Sequence, residues 1–214
     1  MEVLTAEELR VLGALIEKEA TTPDQYPLTM NGLLSATNQT SNRNPVVSYD
    51  AGTADLALGR LRELGLARVV HSPSNRAEKY RHVVHEAWAL STAELAVLAV
   101  LALRGPQTAT ELRTRTERYG DLGDMGGVEG VLHRLKNRYS EPYVIRLERE
   151  AGHREERWAH LLAGEVLDVP TETSAPRGSG TAERVAALET RVAQLTDEIS
   201  VMRGDLDRLL TLLD

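Results

Sequence analysis

Cysteine is absent from this chain of 214 residues. That excludes disulfides, thiolate metal ligands and cysteine nucleophiles. Phenylalanine is missing as well, and lysine occurs three times against 22 arginines, a usage that reads as codon bias before function. Long apolar runs are also lacking. The longest, residues 95–103, is nine residues, too short to span a bilayer. The start, M-E-V-L-T-A-E-E, has neither a basic n-region nor an apolar h-region, so no signal peptide is expected. A cytoplasmic protein without membrane contact is the default expectation. Catalytic signatures are missing too: there is no Gly-rich phosphate loop after a strand, no G-x-S-x-G and no H-E-x-x-H. His82 and His85 are spaced H-x-x-H, but no acidic partner set accompanies them, so packing or surface histidines are expected rather than a metal site. His153 is expected in solvent at a hairpin tip. The chain reads as a non-enzyme, with no metal and no cofactor.

What is present is a duplication. Residues 4–15 read L-T-A-E-E-L-R-V-L-G-A-L, and residues 90–101 read L-S-T-A-E-L-A-V-L-A-V-L. Shifted by 86 positions, Leu4, Glu8, Leu9, Val11, Leu12 and Leu15 fall on Leu90, Glu94, Leu95, Val97, Leu98 and Leu101. Thr5 and Ser91 stand at N-cap positions. The leucines recur at helical spacing, so each copy should bury one face of a helix.

Behind the first copy, Pro23 and Pro27 break the helix, and residues 29–36 make a short second one. The stretch 38–48, N-Q-T-S-N-R-N-P-V-V-S, has turn chemistry throughout. Asp50 caps a third helix that stops at Gly65. L-A-R-V-V-H and K-Y-R-H-V-V then form a β-hairpin. The second copy repeats the order. A helix ends at R-G-P, Thr108 and Glu111 form a capping box, and a helix capped by Asp124 carries Val128, Val131, Leu132 and Leu135. Y-V-I-R-L-E-R and E-R-W-A-H-L-L make a second hairpin. Three helices followed by a hairpin is the winged helix-turn-helix order. The fold class is therefore mainly α with small β-hairpins: two tandem winged helix-turn-helix domains plus a C-terminal coiled-coil helix.

The expected boundaries are 1–86 and 87–163 for the two domains, 164–180 for a flexible linker and 181–214 for the coiled coil. In the last segment Val185, Leu188, Val192, Leu195, Ile199, Met202, Leu206, Leu209 and Leu213 alternate spacings of three and four. That is a heptad seam, and β-branched residues at a with leucine at d favour a parallel homodimer. The alternative is a single amphipathic helix folded back on its own domains.

L-I-E-K-E-A-T-T-P-D-Q-Y-P-L-T-M-N (15–31), N-Q-T-S-N-R-N-P-V (38–46) and L-E-R-E-A-G-H-R-E-E-R-W-A-H-L-L (147–162) resemble signatures of the YceH-like family. The resemblance covers roughly residues 4–162 and implies bacterial tandem winged-helix proteins of unassigned biochemical role. It implies no catalytic residues. Within the first motif, Glu17, Lys18, Glu19, Thr21 and Thr22 either line a ligand or partner site or order the proline-bracketed loop, with Tyr26 as a lid on the core. The second role weighs more, because polar loop residues commonly satisfy backbone groups. The 38–48 loop either presents Ser41, Asn42 and Arg43 to phosphate at the start of helix three or forms a self-capped turn.

Net charge is −7, and most of the excess acid lies in residues 164–214, which hold 5 basic and 10 acidic side chains. Local basic patches rather than net charge drive nucleic-acid binding. The candidate contacts to double-stranded DNA are Arg43, Arg60, Arg62, Arg76 and Lys79 in the first domain, with Arg134, Lys136, Arg138 and Arg154 in the second. Asp55, Glu63 and Glu129 dilute the same helices. The expected function is DNA binding with a regulatory role. The alternative is a protein–protein adaptor whose partner the sequence does not name.

Overall fold

The computed structural model describes residues 2–71, 77–120, 127–138, 141–148 and 155–164. Arg76, Asp124, His153, Arg154 and the whole heptad seam lie outside these. The described chain is built of helices and two small antiparallel sheets of three strands each.

Helix α1 (Ala6–Thr21) opens at Thr5, whose hydroxyl accepts from the Glu8 N–H while the Glu8 carboxylate accepts from the Thr5 N–H. That capping box satisfies two donors the first turn leaves orphaned. Strand β1 (Leu28–Thr29) is followed directly by α2 (Met30–Thr37), with Thr29 as its N-cap. Asp50 caps α3 (Ala51–Glu63), as its sequence position predicts. Gly65, at φ +69, turns the chain into β2 (Ala67–Val70), a backbone region where glycine carries no Cβ penalty. β3 (Lys79–His82) returns antiparallel and pairs on its other edge with β1, giving the order β1-β3-β2. A single-turn helix, α4 (Val84–Ala87), lies across the expected domain boundary.

The second copy repeats these elements. Ser91 and Glu94 form the capping box of α5 (Thr92–Arg104). β4 (Gln107–Thr108) leads into α6 (Ala109–Thr116), capped by Thr108 and Glu111. α7 (Gly127–Lys136), β5 (Val144–Arg146) and β6 (Arg157–His160) complete it, with strand order β4-β6-β5. The two-residue strands β1 and β4 were not expected. A period of two cannot show itself over two residues.

The two copies share one core, and all described residues fall in one compact unit. Here the structure departs from the expectation that each opening helix buries one face. Residues 94–101 are buried without interruption along α5, and residues 8–17 along α1. The reason is that α1 and α5 pack on each other as well as on their own copies. Leu12, Leu15, Leu98 and Leu101 are almost wholly inaccessible, and full burial of each contributes roughly 1.5–3 kcal/mol. The crossing is close at Gly13, where a Cβ would stand 2.9 Å from Leu103 Cγ. Backbone bonds tie the copies together as well: the Leu4 N–H donates to Leu162 O at 2.8 Å, and the Asn44 N–H to Leu103 O at 2.8 Å.

Candidate functional site at the seam between the copies

The burial of both faces of α1 carries a charged residue inside. Glu17, near the helix C-terminus, is 1% exposed. Its partner comes from the turn-rich loop after α2. Asn42 adopts φ 58, a left-handed conformation that asparagine tolerates, and the next residue, Arg43, turns inward. Arg43 Nη1 donates to Glu17 Oε1 at 3.1 Å and Nη2 to Oε2 at 2.5 Å, a bidentate pair. Its Nε and Nη2 also donate to Ala36 O, closing the C-terminal end of α2, and Nη1 donates to Asn42 O. Arg43 was expected to face phosphate. Its side chain has no exposed surface, so it cannot do so. The self-capped turn holds instead, with the Asn38 side chain bonded in both directions to the backbone of Tyr49.

This ion pair joins the first two sequence motifs, residues 15–31 and 38–46, in one contact. Burial pulls the Arg43 guanidinium down to about 10, still charged near neutrality. A buried pair gains little over an apolar replacement, but breaking one partner of it is costly. From the second copy, Arg118, in the turn Glu117–Tyr119, donates to Glu17 Oε1. Arg104, in the last turn of α5, donates from Nη1 to Asn42 Oδ1 at 2.6 Å. One buried carboxylate thus anchors arginines from both copies.

A second cluster sits beside it. The Tyr26 hydroxyl accepts from the His82 N–H at 2.7 Å, and burial pushes the Tyr26 phenol well above its usual range. Tyr26 is therefore the lid on the core that its sequence position suggested. His82 is fully buried. Its Nδ1 accepts from the Val84 N–H at 3.3 Å, which places the ring proton on Nε2, 2.7 Å from Glu19 Oε2. This contact holds the Glu19 carboxyl below its usual value. The His85 ring meets His82 edge-on at 5.9 Å. No group of three or more metal-ligating side chains occurs among the described residues.

The remaining basic candidates among the described residues are exposed or half-buried. Arg60 is exposed and paired with Glu2 and Glu63. Arg62 is exposed and Lys79 half-buried. Arg134 lies 3.7 Å from Glu94. Arg138 donates to Trp88 O and covers the Tyr143 ring. Lys136 is exposed, with His133 and Asn137, along a groove of about 900 Å3 between α7 and the second hairpin, which contributes Arg146 and Trp158. Arg104, Arg115 and Arg118 were not foreseen as site residues. Their signal was present in R-T-R-T-E-R (113–118), but only the seam reveals what they face.

Residues 4–153 match a family model described as "Protein of unknown function, DUF480". A UPF0502 protein of Solibacter usitatus is 48% identical over 194 residues, covering 90% of this chain and 92% of its own. A UPF0502 protein of Pelobacter propionicus is 45% identical over 211 residues, with 96% and 95% covered. The UPF0502 protein YceH of Salmonella schwarzengrund is 41% identical over 211 residues, with 97% and 96% covered.

Proposed function

The chain belongs to this family of unknown function, DUF480, and from its own geometry we propose a non-enzymatic, cytoplasmic tandem winged-helix protein that binds double-stranded DNA in a regulatory role. In each copy a short strand after the first helix pairs with the hairpin that follows the third, giving a sheet of order first-third-second, which supports the winged-helix reading. The observation that carries the proposal is the groove of the second copy. There His133 and Lys136 of α7, with Asn137 just after it, line the groove beside the hairpin residue Arg146, which is paired with Glu156, while Glu129 and Glu155 share the lining. A third helix flanked by a hairpin is how this class places donors on base edges and phosphates. The heptad seam of residues 181–214 supports a homodimer, which would double the number of DNA-contacting faces.

A second reading has its own observation. The exposed face of α3 presents Leu56 at 78% exposure, with Val46 nearby in sequence at 55%, while Arg60 is engaged with Glu2 and Glu63. That face suits a protein partner better than DNA. Salt dependence of duplex binding decides between the two. A site of roughly six phosphate contacts loses about a thousandfold in affinity between about 50 and 200 mM salt. Changing His133 and Lys136 to alanine is expected to weaken binding to all sequences and to flatten the slope by about one for each phosphate no longer neutralised. If no duplex binds at about 50 mM salt, the DNA proposal fails and the adaptor reading replaces it.

A further inference from the structure

Of the five polar residues at the end of the first helix, the fold gives a partner to four. Glu17 is paired with Arg43, and Glu19 with His82. The Thr21 and Thr22 hydroxyls donate to the carbonyls of Glu17 and Lys18, closing α1. Lys18 remains. It is half-buried, yet its ammonium makes no hydrogen bond or ion pair with a described residue. Burial, followed by the charge of Arg43, lowers the Lys18 ammonium from its usual value. A partly desolvated cation without a counter-charge is stabilised by an anion placed beside it.

Lys18 lines a cleft of about 500 Å3 between the end of α1, β1, α2 and the start of β3. Lys79 lines the same cleft from β3, where it stands opposite Thr29 in the sheet. Lysine occurs three times in the chain, and two of the three meet here. Lys79 likewise has no ion pair among the described residues, because its neighbour Glu78 accepts from the Tyr80 hydroxyl at 3.0 Å. No described carboxylate lines the cleft. Ser35 adds a neutral hydroxyl. Gln39 Oε1 accepts from Arg43 Nη2 at 3.3 Å, which leaves its amide N–H groups to donate. Pro27 and Leu28 supply an apolar wall. Apolar lining with a few placed polar groups, at this volume, is the composition of a small-molecule site. A lysine ammonium is a compact point charge with rotatable donors, suited to a carboxylate or a phosphate.

We propose that this cleft binds a small organic anion, with its carboxylate or phosphate held by Lys18 and Lys79 and its apolar body against Pro27 and Leu28. The site does not rest on the DNA reading, since none of its lining residues lines the α7 groove that carries that reading.

Pyridoxal phosphate is the probe, because it joins a phosphate to a small ring and marks the amine beside which it binds. A neutral amine nitrogen attacks its aldehyde carbon, and loss of water leaves an imine. Borohydride then delivers a hydride to the imine carbon and water a proton to the nitrogen, fixing a secondary amine. Apart from the terminal amine the chain offers three lysines, so peptide mass spectrometry of the full chain locates the label. Saturable labelling shared by Lys18 and Lys79, one label per chain and about tenfold above Lys136, is expected. Pyridoxal, which lacks the phosphate, is expected to label both about tenfold less. Lys79→Met is expected to weaken labelling of Lys18 about tenfold, and Lys18→Met that of Lys79. Neither ammonium is paired in the fold, and an unchanged unfolding temperature certifies each variant. Inorganic phosphate and acetate, compared with chloride at a constant ionic strength of about 0.15 M, identify the oxyanion by which of them protects the two lysines. Equal labelling of all three lysines overturns the proposal, as does pyridoxal labelling as well as its phosphate. Labelling indifferent to loss of the other lysine, or protection by neither salt, overturns it too.

Discussion

Glu17→Gln removes one charge and almost no volume, and its consequence follows from what surrounds it. The Arg43 side chain is wholly inaccessible and the Glu17 side chain nearly so. The amide leaves the Arg43 guanidinium buried without a counter-charge. Removing one partner of a buried pair costs about 3–5 kcal/mol. Arg118 is partly exposed and can turn to solvent, so its release adds less than about 1 kcal/mol. Arg43→Met has a different outcome. Glu17 keeps Arg118 as a partner, and the main cost is the Ala36 carbonyl, left unsatisfied at about 1–3 kcal/mol. The double variant Glu17→Leu with Arg43→Met removes both charges and is expected to be less destabilised than Glu17→Gln alone, because apolar replacement of a whole buried pair is often neutral. Urea unfolding of wild type, Glu17→Leu, Arg43→Met and the double variant forms a double-mutant cycle, with Glu17→Gln measured beside it. For a unit of this size, Glu17→Gln is expected to lower the melting temperature by about 6–20 °C. A Glu17→Gln protein within about 1 kcal/mol of wild type refutes the reasoning. So does a double variant whose destabilisation equals the sum of the singles, since contacting partners must couple.

Three further outcomes rest on single positions. Gly13→Val drives a branched side chain into Leu103, where a Cβ alone would already stand 2.9 Å from Cγ; a destabilisation of about 1–3 kcal/mol is expected. Gly59→Ala meets nothing within 4 Å and is expected to gain about 0.5–1 kcal/mol from helix propensity; thermal melts that rank the two variants the other way contradict the packing account. Burial pushes His160 down to about 4, so the folded state holds a neutral ring while the unfolded chain takes up a proton as pH falls below about 6.5. Stability is therefore whole above that pH and is lost progressively down to about 4, by about 3 kcal/mol at most; a urea series over this range should flatten in His160→Phe, and a slope unchanged by the substitution would show that another group titrates.

Local chemistry was readable in the chain, and long-range chemistry was not. The capping pairs Thr5–Glu8, Ser91–Glu94 and Thr108–Glu111 each lie three residues apart, so spacing alone identifies them. The hairpin strands and the Asp50 cap were legible for the same reason, as was Tyr26 as a lid. Arg43 was misplaced because nothing within ten residues of it names Glu17, 26 positions earlier, as its partner. The fusion of the copies left a trace that a one-sided stripe did not capture: residues 95–103 have no polar face at all, and a helix apolar all round is buried all round. The seam arginines come from three elements that only the fold brings together.

The bond from the Leu4 N–H to Leu162 O has a consequence for synthesis on the ribosome. The first copy emerges complete, yet the partner of its opening helix is still to come. At about 5–20 residues per second, the second copy follows over several seconds to a quarter of a minute. During that interval the apolar face of α1 that later meets α5 stays uncovered, and Glu17 lacks Arg118. The first copy alone therefore leaves that apolar face in water until the last strand arrives and Leu162 closes onto the beginning of the chain.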